Sequence, residues 1–521
     1  MSTSDNSANV GPDPTPNNPT VLGPTTVTST IEIGVPPRLG DTITGLVRPT
    51  PTGVSAAFLG IPYAEPPVGP QRFLAPKRAR PWQGNLDATV PGATPQKRPL
   101  AETTTIPEPS IPGDDTLNLN VFTPAPGDRK AKLPVLVWIH GGAYTAGSAS
   151  SPWYDGYAFN RDGVVTVSIN YRLGFDGFGA IAEQPTNRAL LDQIMALEWV
   201  QDNIEYFGGD PGRVTVAGQS AGGGAALALA GSPAAEGLFR AAISQSGAVT
   251  ARTAEAARRN TMLLARYLKT SPTLQGFRSR SADAILTASD RVVRNMDRDG
   301  GNPARLVRRL LGSGVETALG FVPTAEEGLV ADNPYEALTQ RGVPLLVGSV
   351  AHEFSDVGRQ FGPLVKLTAA QRQLRQELGD ASPYLLSDLG PASAEPTLQV
   401  GQLATSRWMR QPVLAAADSN RAHTWVYDFR LPVTEDGLTL HCAELPFVFD
   451  CLDEPTVARN LRPDLPQATA NSMHQAWVNF VTDAQLPWGT WKETRTARVW
   501  DESGFHDGEA YRFEQALQLL D

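Results

Sequence analysis

Only two cysteines, Cys442 and Cys451, occur in 521 residues. Their spacing matches no zinc motif, and a chain this long from an oxidising compartment would usually carry more, so the composition favours the cytoplasm. Positive charge is also scarce: 44 Lys and Arg stand against 54 Asp and Glu, a net charge of −10. That balance argues against nucleic acid or an anionic membrane surface as a partner. The one Arg-rich stretch, Arg291, Arg294, Arg298, Arg305, Arg308 and Arg309, is broken by Asp297, Asp299 and glycines and reads as a solvated helix face. No run approaches the ~18 apolar residues of a membrane span. Residues 1–22 have neither a basic start nor an apolar stretch, so they make no signal peptide; rich in Ser, Thr, Asn and Pro, they read as a disordered tail. Internal repeats and mid-chain linkers are missing too. Residues 23–521 are therefore expected to form a single domain, with 41% apolar residues to fill its core.

What is present is organised around Arg213 to Ala230, RVTVAGQSAGGGAALALA. Val214 and Val216 begin a buried strand, Gly218 and Gly222 bracket Ser220, and Ala225 to Ala230 make a helix slim enough to lie close on a sheet. This is the strand, tight turn and helix of the Gly-x-Ser-x-Gly nucleophile motif. A serine held on so sharp a turn brings strand and helix together until a Cβ at either glycine would collide. The pentapeptide is weak evidence by itself, and its context carries the reading.

Around it, strands and helices alternate. Leu117 to Phe122, Leu133 to Ile139, Val164 to Ile169, Val343 to Val347 and His423 to Phe429 read as strands, and the continuous apolar run LPVLVWI needs cover on both faces. Leu190, Ile194, Leu197, Val200 and Ile204 recur at helical spacing until Gly208-Gly209 and Pro211 stop them. Ser472 to Thr482 reads as an amphipathic helix, and residues 251–340 as mostly helical. The pattern implies an α/β fold, a mostly parallel sheet with helices on both faces and helical insertions after the serine turn. Gly60 to Pro76 is too rich in Pro and Gly for regular structure and too apolar for a linker, so it must pack on the body.

A serine hydroxyl needs a base within hydrogen-bond reach, and the base needs an orienting carboxylate. On sheets of this kind the chain order is serine, acid, histidine, and sites lie beyond the carboxyl ends of strands. Of the later histidines, His423 opens a strand, His474 lies in a helix and His506 in a polar C-terminal turn, leaving His441 in a loop after a late strand. Glu353 and Asp356 both follow the strand ending at Gly348, and sequence logic does not separate them. His140-Gly141-Gly142-Ala143, after the LPVLVWI strand, is placed to offer backbone N–H groups to an oxyanion together with the residue after the serine.

The chain as a whole resembles the type-B carboxylesterases, the family that includes bacterial para-nitrobenzyl esterases and, more distantly, the cholinesterases. The likeness rests on Phe58 to Ala64, Asn118 to Val121, Trp138 to Ala143, Asn170 to Gly174, Leu190 to Gln193, Phe207 to Pro211, Gly218 to Gly222, Gln245 to Gly247, Gly348 to Glu353 and His441 to Phe449. It implies the α/β-hydrolase fold, Ser220 as nucleophile, Glu353 rather than Asp356 as acid, His441 as base, and Gly142, Ala143 and Ala221 as oxyanion donors beside Gly141. By the same resemblance Ser246 supports the His and Glu, and Arg72–Asp114 and Arg172–Asp192 are buried ion pairs. It further implies hydrolysis of small to medium neutral esters through an acyl-enzyme, with amides or carbamates as the alternative substrates and a non-catalytic binding protein as the remote one. No metal or cofactor is implied; the partner is a small-molecule ester, and the chain a monomer or small homo-oligomer. Four positions depart from the pattern: Gln219 stands where Glu is usual, Phe354 where Gly is usual, and Thr94 and Thr116 where secreted members carry a cysteine pair.

Overall fold

The computed structural model describes residues 22–521 apart from 97, 99–103, 250, 297–318, 357–358, 360–375, 377, 380–381, 390–394 and 519–521. The tail at 1–21 and Arg298, Arg305, Arg308 and Arg309 lie outside the described residues. Arg291 and Arg294 do sit exposed on the helix Ala282–Met296.

Thirteen strands form one twisted sheet: β1 (Ser29–Gly34), β2 (Thr42–Thr50), β3 (Gly53–Pro62), β4 (Asn85–Asp87), β5 (Asn118–Thr123), β6 (Leu133–Ile139), β7 (Val165–Ile169), β8 (Gly209–Gln219), β9 (Ala241–Gln245), β10 (Leu345–Val350), β11 (Thr424–Phe429), β12 (Ala497–Asp501) and β13 (Gly504–Gly508). Their spatial order is β1-β2-β3-β5-β7-β6-β8-β9-β10-β11-β12-β13, with β4 beside β2. Every pairing from β7 to β12 is parallel. The strands at both ends of the sheet run antiparallel to their neighbours, except that β4 lies parallel to β2.

The apolar run of β6 shows why the parallel part needs two covers. Val135, Val137 and Ile139 point into one core, with Val214, Val216 and the helix Arg188–Asn203. Leu136 and Trp138 point into a second, with Ile243, Trp477 and the helix Gln467–Asp483. Each fully buried aliphatic side chain contributes about 1.5–3 kcal/mol, and Val135, Leu136, Val137 and Ile139 of β6 are all of this kind. The long helix ends as its sequence requires: a tight turn at Ile204–Phe207 runs into Gly208, which takes φ 81° and redirects the chain into β8.

After β9 the described part of residues 251–340 is mainly helical, at Ala254–Leu268, Leu274–Arg278, Ala282–Met296 and Pro334–Arg341. His506 is not in a turn: it lies in β13, opposite Val499 of β12, and is solvent-exposed. Among the described residues no helix is long and apolar enough to cross a membrane.

Candidate active site

Parallel register brings the carboxyl ends of β6, β8, β9 and β10 to one edge: Ile139 pairs with Gly218, Gln219 with Gln245, and Gln245 with Gly348. The next residues out are His140, Ser220, Ser246 and, three beyond Val350, Glu353. Ser220 has φ 57° and ψ −122°, a conformation costing a non-glycine residue about 1–3 kcal/mol. It persists because its surroundings leave no alternative. A Cβ at Gly222 would lie 2.0 Å from the carbonyl oxygen of Ile139, and one at Gly218 would lie 2.4 Å from the backbone of Gly222. Strand and helix thus touch backbone to backbone. Gly224 brings the same helix against Ala248, where a Cβ would meet the carbonyl oxygen at 2.3 Å.

The loop after β6 folds over this turn. A Cβ at Gly141 would come within 3.1 Å of the Ser220 Cβ. Gly142, Ala143 and Tyr144 all have positive φ, 109°, 54° and 59°, a sharply turned backbone that costs the two non-glycine residues conformational strain. None of the N–H groups of Gly142, Ala143 and Ala221 donates a hydrogen bond among the described residues. The loop is braced from below. Tyr171 donates to the carbonyl of His140 at 2.7 Å and stacks on its ring at 4.4 Å, and Gly174 N–H donates to the Tyr144 carbonyl at 2.6 Å. Burial holds the His140 ring down to about 4, so it is neutral at physiological pH.

Glu353 and His441 arrive on separate loops, after β10 and β11, which are stitched together. His352 N–H donates to the Thr439 carbonyl at 3.1 Å, Thr439 N–H to His352 Nδ1 at 2.9 Å, and His441 N–H to the Glu353 carbonyl at 3.0 Å. The side chains follow. His441 Nδ1 meets Glu353 Oε2, while Val350 N–H donates to Glu353 Oε1 at 3.0 Å. Glu353 is fully buried and His441 is 18% exposed. It is Glu353, not Asp356, whose carboxylate meets the ring. Burial opposes the imidazolium, but the charge and hydrogen bond of the Glu353 carboxylate favour it, and His441 is held well above the ordinary histidine value. The ring's other nitrogen, Nε2, takes a hydrogen bond from the side-chain amide of Gln219 at 3.2 Å.

His423 is exposed beside Trp425, and His474 is buried, bonded to the Val448 carbonyl at 2.6 Å and to Asp162 at 3.0 Å. Both lie outside the cluster. Ser246 does not support His441 or Glu353 by a direct bond. Its hydroxyl is buried without a partner among the described residues, and its N–H donates to the Gly348 carbonyl at 2.8 Å, closing the gap between β9 and β10. The Arg172–Asp192 pair is present and buried, at 2.6 Å. Arg72, however, pairs with Asp176 at 3.2 Å and not with Asp114. Asp114 is solvent-exposed on its turn, whereas Asp176 lies on the helix Gly174–Phe178 facing Arg72.

Three features escaped the sequence reading. Gln245 Nε2 donates to Glu444 at 3.2 Å, and Trp477 Nε1 donates to Gln245 Oε1 at 2.9 Å. Burial first, and then Glu353, push the Glu444 carboxyl up to about 7. Phe354 lays its ring 4.7 Å from that of His441 and 6.2 Å from Trp408. Phe354 stood out in the sequence only as a departure, with no partner assigned, and the one local signal that could have marked Glu444 is its place three residues beyond His441 in an otherwise apolar run.

Residues 38–517 match the model of the carboxylesterase family. The chain belongs to that family. It is 34% identical to the para-nitrobenzyl esterase of Bacillus subtilis (strain 168) over 458 residues, covering 84% of this chain and 88% of the relative. It is 32% identical to the phenmedipham hydrolase of Pseudarthrobacter oxydans, covering 84% and 89%. Among solved structures, a carboxylesterase of Geobacillus stearothermophilus superposes with a TM-score of 0.73 at 29% identity, covering 92% and 98%. A thermophilic PNB esterase does so with 0.74 at 29%, covering 93% and 99%. The carboxylesterase fold is thus the α/β-hydrolase fold expected, and the protein is a carboxylic ester hydrolase.

Proposed function

We propose that this carboxylesterase cleaves small to medium neutral esters by a two-step acyl transfer at Ser220. The observation that carries the reading is the His441 ring, which meets the buried Glu353 through Nδ1 and turns Nε2 toward the serine turn. Ser220 Oγ bonds to the acyl carbon while its proton passes to His441 Nε2. The negative charge on the carbonyl oxygen falls among the N–H groups of Gly142, Ala143 and Ala221, which have no acceptor among the described residues. Collapse breaks the carbon–oxygen bond to the alcohol, which leaves with the proton from Nε2. Water then adds to the acyl-enzyme, gives its proton to Nε2, and the acid departs as that proton returns to Ser220. Glu353 keeps the tautomer with Nε2 unprotonated and stabilises the imidazolium that forms twice per cycle.

Ser220→Ala should abolish turnover, and a fluorophosphonate should label the wild-type protein at Ser220; labelling at Ser246 would refute the assignment. Amides and carbamates need the same groups and differ in the leaving group. Para-nitrophenyl esters of graded acyl length, assayed beside a para-nitrobenzyl ester, phenmedipham and a simple carbamate, sort the substrate class. We also read residues 23–521 as one catalytic domain, which limited proteolysis tests.

A further inference from the structure

The residue before the serine is the one that meets the base. Gln219 is fully buried, its Nε2 lies 3.2 Å from His441 Nε2, and its Oε1 has no partner among the described residues. With the Nδ1 proton given to Glu353, the other nitrogen of a neutral imidazole is an acceptor, and an amide N–H is the donor that suits it. We infer that Gln219 is a positioning residue for the base: its uncharged amide holds Nε2 as an acceptor and lets His441 stay neutral at a pH where a carboxylate in its place would keep it protonated. The inference rests on His441 being the base.

The other groups facing the ring fix what such a change would do. They are Glu353 from the loop after β10, Cys442 and Glu444 from the ring's own segment, and the uncharged Phe354. The Glu353 carboxylate already pulls the ring toward the imidazolium from one side. A second carboxylate at position 219 would sandwich it, and a carboxylate within ~4 Å raises a partner's pKa by roughly 1–3 units.

The test is the pH dependence of kcat/KM for Gln219→Glu, with Gln219→Met as the uncharged control. Glutamate is isosteric with glutamine and is the usual residue here in the proteins this chain resembles. The acid limb of Gln219→Glu should move up by at least one unit, so that at a pH below the wild-type limb its kcat/KM falls tenfold or more; Gln219→Met, which deletes the donor to Nε2 but adds no charge, should raise the limb by less than about half a unit. An unmoved limb in Gln219→Glu, or an equal rise in Gln219→Met, overturns the inference. Should Gln219→Glu lack a cooperative melting transition, a limb raised by a full unit in Gln219→Met still overturns it. Retention of wild-type activity by His441→Ala would instead refute the reading of the base.

Discussion

The carbonyl of Gln245 accepts the N–H of Ser220 at 2.8 Å. Through its side chain the same residue holds Glu444, three positions beyond His441, and is itself held by Trp477. One glutamine at the end of β9 therefore joins the serine turn to the loop carrying the histidine.

Gln245→Leu keeps the carbonyl and deletes the side-chain bonds, leaving the buried Glu444 carboxyl and Trp477 indole without partners. Unsatisfied buried groups cost about 1–3 kcal/mol each, so the variant should unfold at clearly lower urea concentration. Its kcat should fall more than its KM rises, because the altered contact lies behind the site. Unchanged stability would show that Glu444 finds another donor.

The acid limb of kcat/KM should lie above the ordinary histidine value of ~6.5, because the base must be neutral and its surroundings favour the imidazolium. The effect on stability has the opposite sign. A histidine whose folded pKa is raised stabilises the fold below its unfolded pKa, and that contribution fades as pH rises through the folded value. Activity should rise over the range in which this contribution is lost. Glu353→Gln should cut kcat by roughly three orders of magnitude. A limb at or below ~6, or a fully active Glu353→Gln protein, argues against the assignment.

Behind the loop that carries Glu353, Arg410 donates to the Val350 carbonyl at 3.3 Å and is buried among Asp428, at 2.8 Å, and Glu514, at 3.2 Å, with the Tyr511 ring 4.3 Å away. Burial would raise the Asp428 carboxyl, but Arg410 and Arg430 outweigh it and hold it below the usual carboxylate range. Its stabilisation is present above ~3.9 and lost as pH falls. Arg410→Met strips two buried carboxyls of their main partner and should cost about 3–5 kcal/mol near neutral pH. The gap in Tm should narrow toward pH 4, where protonation relieves the uncompensated charge; a pH-independent gap would trace the loss to packing.

What could be read from the sequence was what local burial writes into it. LPVLVWI ends at the observed boundaries of β6 because every residue from Pro134 to Ile139 is buried, and Gly218 and Gly222 are dictated by a backbone contact between adjacent elements. Partner choice across the fold is written nowhere locally. Arg72 pairs with Asp176 because of which helix faces it, and the Gln219 amide finds His441 across 222 residues. Periodicity missed the antiparallel outer strands as well. In β1 the residues alternate only weakly in exposure, and β13 is exposed along its length, so neither carries the pattern of a buried element.

Substrate charge supplies the last prediction. Holding a quaternary ammonium takes a cage of aromatic faces. Pro95 to Asp115, the segment that replaces an aromatic-bearing loop of the cholinesterases, contains no Phe, Tyr or Trp. Two other aromatics lie close enough in sequence to the loop after β6 to be considered, and neither is available. Tyr144 is buried with its ring against Phe178 at 5.0 Å, and Trp153 is fully buried with its indole N–H on Thr456 at 2.8 Å. Phe354 does stand beside His441, but its ring packs against the imidazole and its other ring neighbour is Trp408, so it offers one edge and no cage. Gln219 adds no negative charge beside the serine. An uncharged butyrate ester isosteric with butyrylcholine should therefore be hydrolysed with a kcat/KM roughly tenfold higher, the loss on the choline ester coming from desolvating a cation for which the described residues form no aromatic cage. Equal or higher efficiency on the choline ester would overturn the prediction and point to Phe354 and Trp408 as the group that receives the cation, which Phe354→Ala would then test.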